Sequence, residues 1–490
     1  MAEPSLKNKA VNGVGWSAAD AILGQGVTFL VGIVLARLLS PTEYGLIGII
    51  SIFIIVLNGV VDSGFSNALI RKQDITNDDY NTMFFTNLGS SILLYVGLYF
   101  VAPFIAIFFD RIELTPLTRA MGLILIINAL SLVQVTILTK KVDFKTKTKA
   151  SLTSAVLSGL LGITLAYLGF GVWSLVAQQL SKQCIYTVCL WILNRWAPTC
   201  AFSTASFKYM WSFGWKLLLS GLLNNIWNQL YQVVVGKFYS PATLGQYSRS
   251  KEYANILSAN FTAIVQRVSY PVLSELQDDR ERMVNGYKKI IKLTMFVTAI
   301  SMIFMGAVAE PMVYCLIGPQ WKEAATYLPL ICISMSLYPI HAINLNMLQV
   351  QGRSDIFLIL EIVKKIIAIG PICLGIFVGI EWMLIGSIVT GIISFFLNSY
   401  YTGKKLHYTS WMQLRDIAPS YAIAFAMALS VYFLKLLPLS YFVILPIQIV
   451  IGICVGWLLC KIWNLSEYND FKRIIVEKVN GYKKNTSNYE

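Results

Sequence analysis

The sequence predicts an all-α integral membrane protein of about 14 transmembrane helices, built as two parallel six-helix repeats plus two C-terminal helices, with both termini cytoplasmic. Three observations predict it: an apolar composition, an alternation of cations along the chain, and an internal repeat. Of the 490 residues, 56% are hydrophobic and only 13% charged, with a mean hydropathy of +0.63. Soluble chains carry about 25% charged residues. About fourteen spans of 20 to 25 residues leave only short connectors, so no soluble catalytic domain fits between them. The start, Met1 to Lys9, is short and mildly basic, and the apolar run that follows reaches Leu39 without a small-residue cleavage site. It reads as a first span and not as a cleaved signal peptide. Eight scattered cysteines, with no C-x-x-C pair, read as reduced packing residues.

Apolar runs between polar breaks place spans at 12–39, 44–70, 82–109, 117–138, 149–170, 172–194, 208–239, 243–270, 284–309, 327–350, 356–379, 381–402, 416–436 and 441–463. The net charge of +14 follows the connectors. The N-terminus, the even-numbered connectors and the C-terminal tail hold 26 of the 39 cations, among them Arg71, Lys72, Lys140, Lys141, Lys145, Lys147, Arg280, Arg282, Lys404, Lys405, Lys472 and Arg473. The odd-numbered connectors hold six: Arg37, Arg111, Arg119, Lys237, Lys322 and Lys435. That is the positive-inside pattern of a chain with cytoplasmic ends, so the basic balance is topological and nucleic-acid binding is unsupported.

The segment from Ala36 to Gly45 returns as Gly236 to Gly245, an offset of 200 with the cation, the Ser-Pro pair and the final glycine in register. Ser-Pro stops one helix and starts the next, because Ser caps and Pro in the first turn lacks only an N–H that would be unpaired anyway. Gly171-Val172-Trp173 resembles Ile380-Glu381-Trp382 at a similar offset. Six spans per copy is even, so both copies enter from one side, a parallel repeat. The expected domains are an N-terminal bundle at 1–200, a C-terminal bundle at 201–405, helices 13 and 14 at 406–463, and a cytoplasmic tail at 464–490.

The repeat also assigns 245–267 as a span although it carries Arg249, Lys251, Glu252, Asn255, Asn260 and Arg267. A span that polar must face protein or water. Arg249 and Arg267 lie eighteen residues apart, five turns, and so share one helix face as candidate cationic steps of a substrate cavity. The competing reading has Arg249 and Arg267 snorkelling to opposite headgroups and Glu252 pairing with a neighbouring cation. Span 7 places Asn224, Asn225, Asn228 and Gln232 within a third of the helix circumference, with Lys216 near its cytoplasmic end; the aligned part of span 1 offers Gln25 and Thr28. These stripes suit a cavity between the halves, or interhelical amide bonding. Asp20, in the first third of span 1, is the candidate for binding H⁺ or Na⁺, whereas Asp62 reads as solvated or capping. His341 reads as a hydrogen-bonded interior residue, Glu361, Lys364 and Lys365 as i, i+3 and i+4 intrahelical pairing, and 276–292 as a surface helix. No H-E-x-x-H, Walker A or G-x-S-x-G motif occurs, so no catalytic residues and no cofactor are expected.

The motif L-A-R-L-L-S-P-T-E-Y-G-L, the stretch Asp62-Ser63-Gly64-Phe65-Ser66-Asn67, and the six-plus-six-plus-two count together resemble the multidrug/oligosaccharidyl-lipid/polysaccharide exporter superfamily, in its Wzx-like O-antigen, capsule and teichuronic acid flippase branch. The resemblance covers essentially the whole chain. It implies a multi-pass protein of the bacterial inner membrane that moves an undecaprenyl-pyrophosphate-linked oligosaccharide outward by alternating access, beside membrane lipids and the polysaccharide polymerase machinery. It further implies a cationic cavity, for which Arg37, Arg249 and Arg267 are the candidates. The alternatives are a cation-coupled drug antiporter of the same superfamily, which calls for cavity carboxylates, and a membrane glycan polymerase or acyltransferase, which calls for a long external loop or a catalytic histidine.

Overall fold

A computed structural model describes residue 16 and residues 23–276 and 278–473; there is no strand among the described residues. Among the described residues, helices occupy the intervals expected from the apolar runs. Nine of them, among the described residues, are long and apolar enough to cross a membrane. Packing divides the chain into two units, Met1–Gly245 and Gln246–Glu490.

The first unit holds α1 (Gln25–Leu38), α2 (Pro41–Asp62), α3 (Phe65–Arg71), α4 (Asn77–Phe108), α5 (Leu114–Lys140), α6 (Phe144–Tyr167), α7 (Val172–Asn194), α8 (Thr204–Phe238) and the first turn of α9 (Pro241–Glu275). The Ser-Pro junctions behave as their chemistry dictates. Ser40 and Glu43 form a capping box at the start of α2, with Pro41 in the first turn. At the start of α9 the Ser240 hydroxyl accepts from the Thr243 N–H at 3.1 Å, without a carboxylate to complete the box. The two junctions also meet each other. A Cβ added to Gly45 would lie 1.7 Å from the Pro241 carbonyl oxygen, and one added to Gly245 would lie 1.9 Å from that of Pro41. Each glycine of the repeated motif thus lets the backbone of the other copy pass.

Asp62 to Gly64 breaks the second span. Ser63 and Gly64 both take left-handed φ, +50° and +71°, and Asp62 accepts from Ser66 to start α3. The capping reading of Asp62 holds. This break rests on α8, where a Cβ on Gly214 would lie 2.6 Å from the Ser63 carbonyl oxygen. The connector before α8 is fixed to α4 and α5. Gln134 donates to the Trp196 carbonyl at 2.8 Å, Asn81 pairs with Thr199 through both amide atoms, and Ser203 N–H donates to Thr82. Bound at its entry and along its length, α8 packs with the residues before it.

The second unit contains the rest of α9, then α10 (Arg280–Ala307), α11 (Ala309–Leu316), α12 (Lys322–Ser336), α13 (Tyr338–Val350), α14 (Ser354–Ile367), α15 (Ile369–Phe377), α16 (Ile380–Leu406), α17 (Ser410–Tyr432) and α18 (Tyr441–Ile462), followed by a short helix from 466. Its core joins Met283, Tyr287, Ile291 and Met295 of α10 to Ile343 and Met347 of α13 and Ile417 of α17. The surface helix expected at 276–292 is corrected: residues from Arg280 onward run unbroken into α10, because Met283, Tyr287 and Ile291 continue the buried stripe of that span. All eight cysteines are free, but only Cys315, Cys332 and Cys460 are buried.

Candidate functional site

Each unit carries a polar cluster between its helices, and the residues singled out in the sequence are divided between the units: Gln25, Arg37, Lys216 and the amides of span 7 in the first, Arg249 and Arg267 in the second. On α8, Asn225 and Gln232 turn toward α2. Gln232 Nε2 donates to the Gly48 carbonyl at 3.3 Å, and the Asn225 amide lies against Gly59, where a Cβ would come within 2.8 Å of it. Asn224 and Asn228, on neighbouring positions, are exposed, as are Gln25 on α1, Arg37 in its last turn and Lys216 beside the Trp215 ring. The stripe of span 7 is therefore split between packing on α2 and open surface. Asp20 lies outside the described residues.

On α9 the two arginines differ. Arg249 is 5% exposed, and its guanidinium donates to Glu252 Oε2 at 2.7 Å, one turn along. The carboxylate end of that pair is half open to the exterior, with Glu252 54% exposed. Arg267, five turns on, is exposed. The helix between them is tied to its own unit by polar bonds: Gln246 donates to the Gln320 carbonyl at 2.7 Å, Ser250 to that of Ala324 and Ser258 to that of Met335. A helix this polar is held in its unit because its hydroxyls and amides find carbonyls on the neighbouring helices.

Sequence reasoning missed two clusters. In the first unit, Asn128 on α5 donates to Asn58 on α2 at 2.9 Å, and Gln183 on α7 donates to Asn128 Oδ1 at 3.2 Å. Beside them Lys182 lies 3.4 Å from the Thr28 hydroxyl of α1. The available signal was the run Gln178, Gln179, Lys182 and Gln183 near the centre of span 6. In the second unit, Asn344 on α13 accepts from Tyr287 on α10 and from Thr402 on α16 at 3.0 Å, and donates to Gln413 on α17 at 3.2 Å. His341, one turn earlier, faces Asn398 at 3.5 Å, as an interior hydrogen-bonding residue. The Glu361–Lys364 pair forms as the spacing indicated.

The arrangement is that of a multi-pass membrane protein: bundles of long apolar helices with buried amides and cations between them. Solved structures share the fold. The lipid II flippase MurJ in an inward closed conformation superposes with a TM-score of 0.70 at 16% identity, over 94% of this chain and 99% of that one. An inward-facing multidrug resistance MATE family transporter of the MOP superfamily gives 0.58 at 19% identity, over 80% and 99%. Residues 34–326 match the family described as polysaccharide biosynthesis protein, and the chain belongs to that family, within the MOP superfamily fold. Similar proteins include the succinoglycan biosynthesis transport protein ExoT of Rhizobium meliloti, 26% identical over 76% of each chain. The teichuronic acid biosynthesis protein TuaB of Bacillus subtilis is 25% identical over 72% of this chain and 74% of its own. The lipopolysaccharide biosynthesis protein WzxC of Escherichia coli is 22% identical over 87% and 89%. The protein is a multi-pass transporter of the bacterial inner membrane.

Proposed function

We propose that this protein is a lipid-linked oligosaccharide flippase, a non-enzymatic transporter that moves an undecaprenyl-pyrophosphate-linked glycan from the cytoplasmic to the periplasmic leaflet by alternating access and hands it to the polymerase machinery. The observation that carries the reading is the buried Arg249 on α9, the most polar of the spanning helices, in a chain of the polysaccharide biosynthesis family. A guanidinium keeps its charge when desolvated and can grip phosphate oxygens in pairs, while the polyprenyl tail stays in lipid. Arg249 takes the pyrophosphate, Arg37, Lys216 and Arg267 guide it at the ends of the path, and the amides of Gln25, Asn224, Asn225, Asn228 and Gln232 meet the sugars. Fourteen spans with cytoplasmic termini, six in each repeat, orient the basic connectors toward the side where the substrate is made. Asp20 is the carboxyl in this reading that binds H⁺ or Na⁺ if the cycle is ion-driven.

The test is complementation of surface polysaccharide in a flippase-null host, read together with leaflet accumulation of the lipid-linked oligosaccharide. Arg249→Ala and Arg267→Ala abolish export at unchanged protein level, and Arg→Lys at either position leaves part of it. Full complementation by the double Ala variant would remove both arginines from the mechanism. Efflux of cationic dyes in place of glycan would reassign the chain as a drug antiporter.

A further inference from the structure

A cavity of about 350 Å³ lies in the second unit where α10 and α17 begin, roofed by the helix from 466. Its walls carry both signs of charge: Lys288, Lys289 and Lys292 from α10, Asp416 from α17, and Glu467 and Asp470 from the roof. Lys289 pairs with Asp470 at 3.2 Å. Lys292 straddles Asp416 and Glu467 at 3.4 and 3.6 Å. Those separations exceed the roughly 2.7–2.9 Å of a close charge-assisted contact, so both carboxylates have room for a nearer donor. Lys288 has no ion-pair partner among the described residues; its ammonium sits 5.0 Å from the centre of the Tyr408 ring. Tyr408 is fully buried and donates to Asp416 Oδ2 at 2.7 Å, and burial with that carboxylate raises its phenol, which stays protonated and holds Asp416 in place.

The cavity stands at headgroup level. Trp411 and Trp463, five residues before Asp416 and three before Ser466, are 72% and 50% exposed, as tryptophans at a membrane–water boundary are. An anion alone would meet three carboxylates there, and a cation alone three ammonium groups. A ligand carrying both charges a few bonds apart satisfies both walls. We propose that this cavity binds the headgroup of an aminophospholipid, with the phosphodiester on Lys288 and Lys289 and the primary ammonium on Asp416 and Glu467. A quaternary ammonium cannot donate to those carboxylates, so the site distinguishes a primary amine from choline. The proposal is independent of the glycan reading.

The full chain, delipidated in detergent, is titrated with phosphatidylethanolamine, phosphatidylcholine or phosphatidylglycerol of identical acyl chains, and lipid retention is counted by native mass spectrometry beside the thermal midpoint. Phosphatidylethanolamine is retained about tenfold better than either other lipid, the effect of one charge-assisted hydrogen bond. Lys288→Met lowers that retention about tenfold while leaving the lipid-free midpoint unchanged, because Lys288 forms no ion pair among the described residues. Asp416→Asn, whose amide oxygen still accepts from Tyr408, erases the preference over phosphatidylcholine. Equal retention of the three lipids, preference for phosphatidylglycerol, or unaltered retention by Lys288→Met would each overturn the proposal, leaving the charges as a clamp on the roof helix. Stabilisation by soluble phosphoethanolamine equal to that by the lipid would overturn the membrane source.

Discussion

Helices α2 and α9 begin with the same Ser-Pro-x-x-x-Gly motif and then diverge completely. The apolar body of α2 buries Leu46, Ile49, Ile50, Ile52 and Ile54. The body of α9 carries Arg249, Ser250, Lys251, Glu252, Ser258 and Asn260, and anchors itself through the hydroxyl-to-carbonyl bonds of Ser250 to Ala324 and Ser258 to Met335. What the repeat preserves is backbone geometry: a helix stop, a capped restart and a glycine one turn later that admits the other copy. What it releases is side-chain chemistry.

The largest effect that tests this comparison comes at the crossing. Gly45→Val and Gly245→Val each place branched carbons where a backbone carbonyl now lies, and each should cost about 3 kcal/mol or more, since a carbonyl cannot swing aside as a side chain can. Fluorescence-detected size-exclusion of membrane extracts should show loss of monodisperse protein for both. If one is tolerated, the two copies do not make equivalent contacts.

Next come the buried amides. Asn344 serves three partners on three helices and is fully buried, whereas Asn128 bonds Asn58 and Gln183 in a partly buried setting. Asn344→Leu should cost about 1 to 2 kcal/mol and Asn128→Leu less than about 1, the range for polar contacts between spanning helices, read as the larger drop in thermal midpoint in detergent for Asn344→Leu. The reverse order would mean that the first unit depends more heavily on its polar cluster.

A subtler difference separates the caps. Ser40→Ala breaks a reciprocal box and should cost about 1 kcal/mol, while Ser240→Ala removes one N–H acceptor and should cost about half as much. Glu43→Thr, which copies the second junction into the first, should equalise them in chemical denaturation of the reconstituted protein.

The smallest effect is one of pH and belongs to the second unit. The raised phenol of Tyr408 means that the unfolded chain releases its proton first, so stability is untouched below about pH 10 and falls as pH rises past it. Tyr408→Phe should flatten that alkaline decline by a fraction of a kcal/mol.

The sequence by itself determined the class and the helix plan. Charge-poor apolar runs of bilayer length can bury their backbone polar groups only as helices, and the Ser-Pro offset of 200 is covalent information that survives any packing. It also supplied the local chemistry: the capping role of Asp62, the Ser40 box and the Glu361–Lys364 pair depend on residues three or four apart. Tertiary structure alone decided which distant groups meet. Asn58 finds Asn128, Asn344 finds Tyr287 and Gln413, and Gly45 faces Pro241, because side-chain direction on one helix carries no record of which neighbour covers it. The same holds for α8. Its polar stripe is legible from the 3.6-residue period, but Asn225 packs against Gly59 and Gln232 reaches the Gly48 carbonyl of α2 while Asn224 and Asn228 stay exposed, a division set by where the facing helix lies and not by the amides themselves.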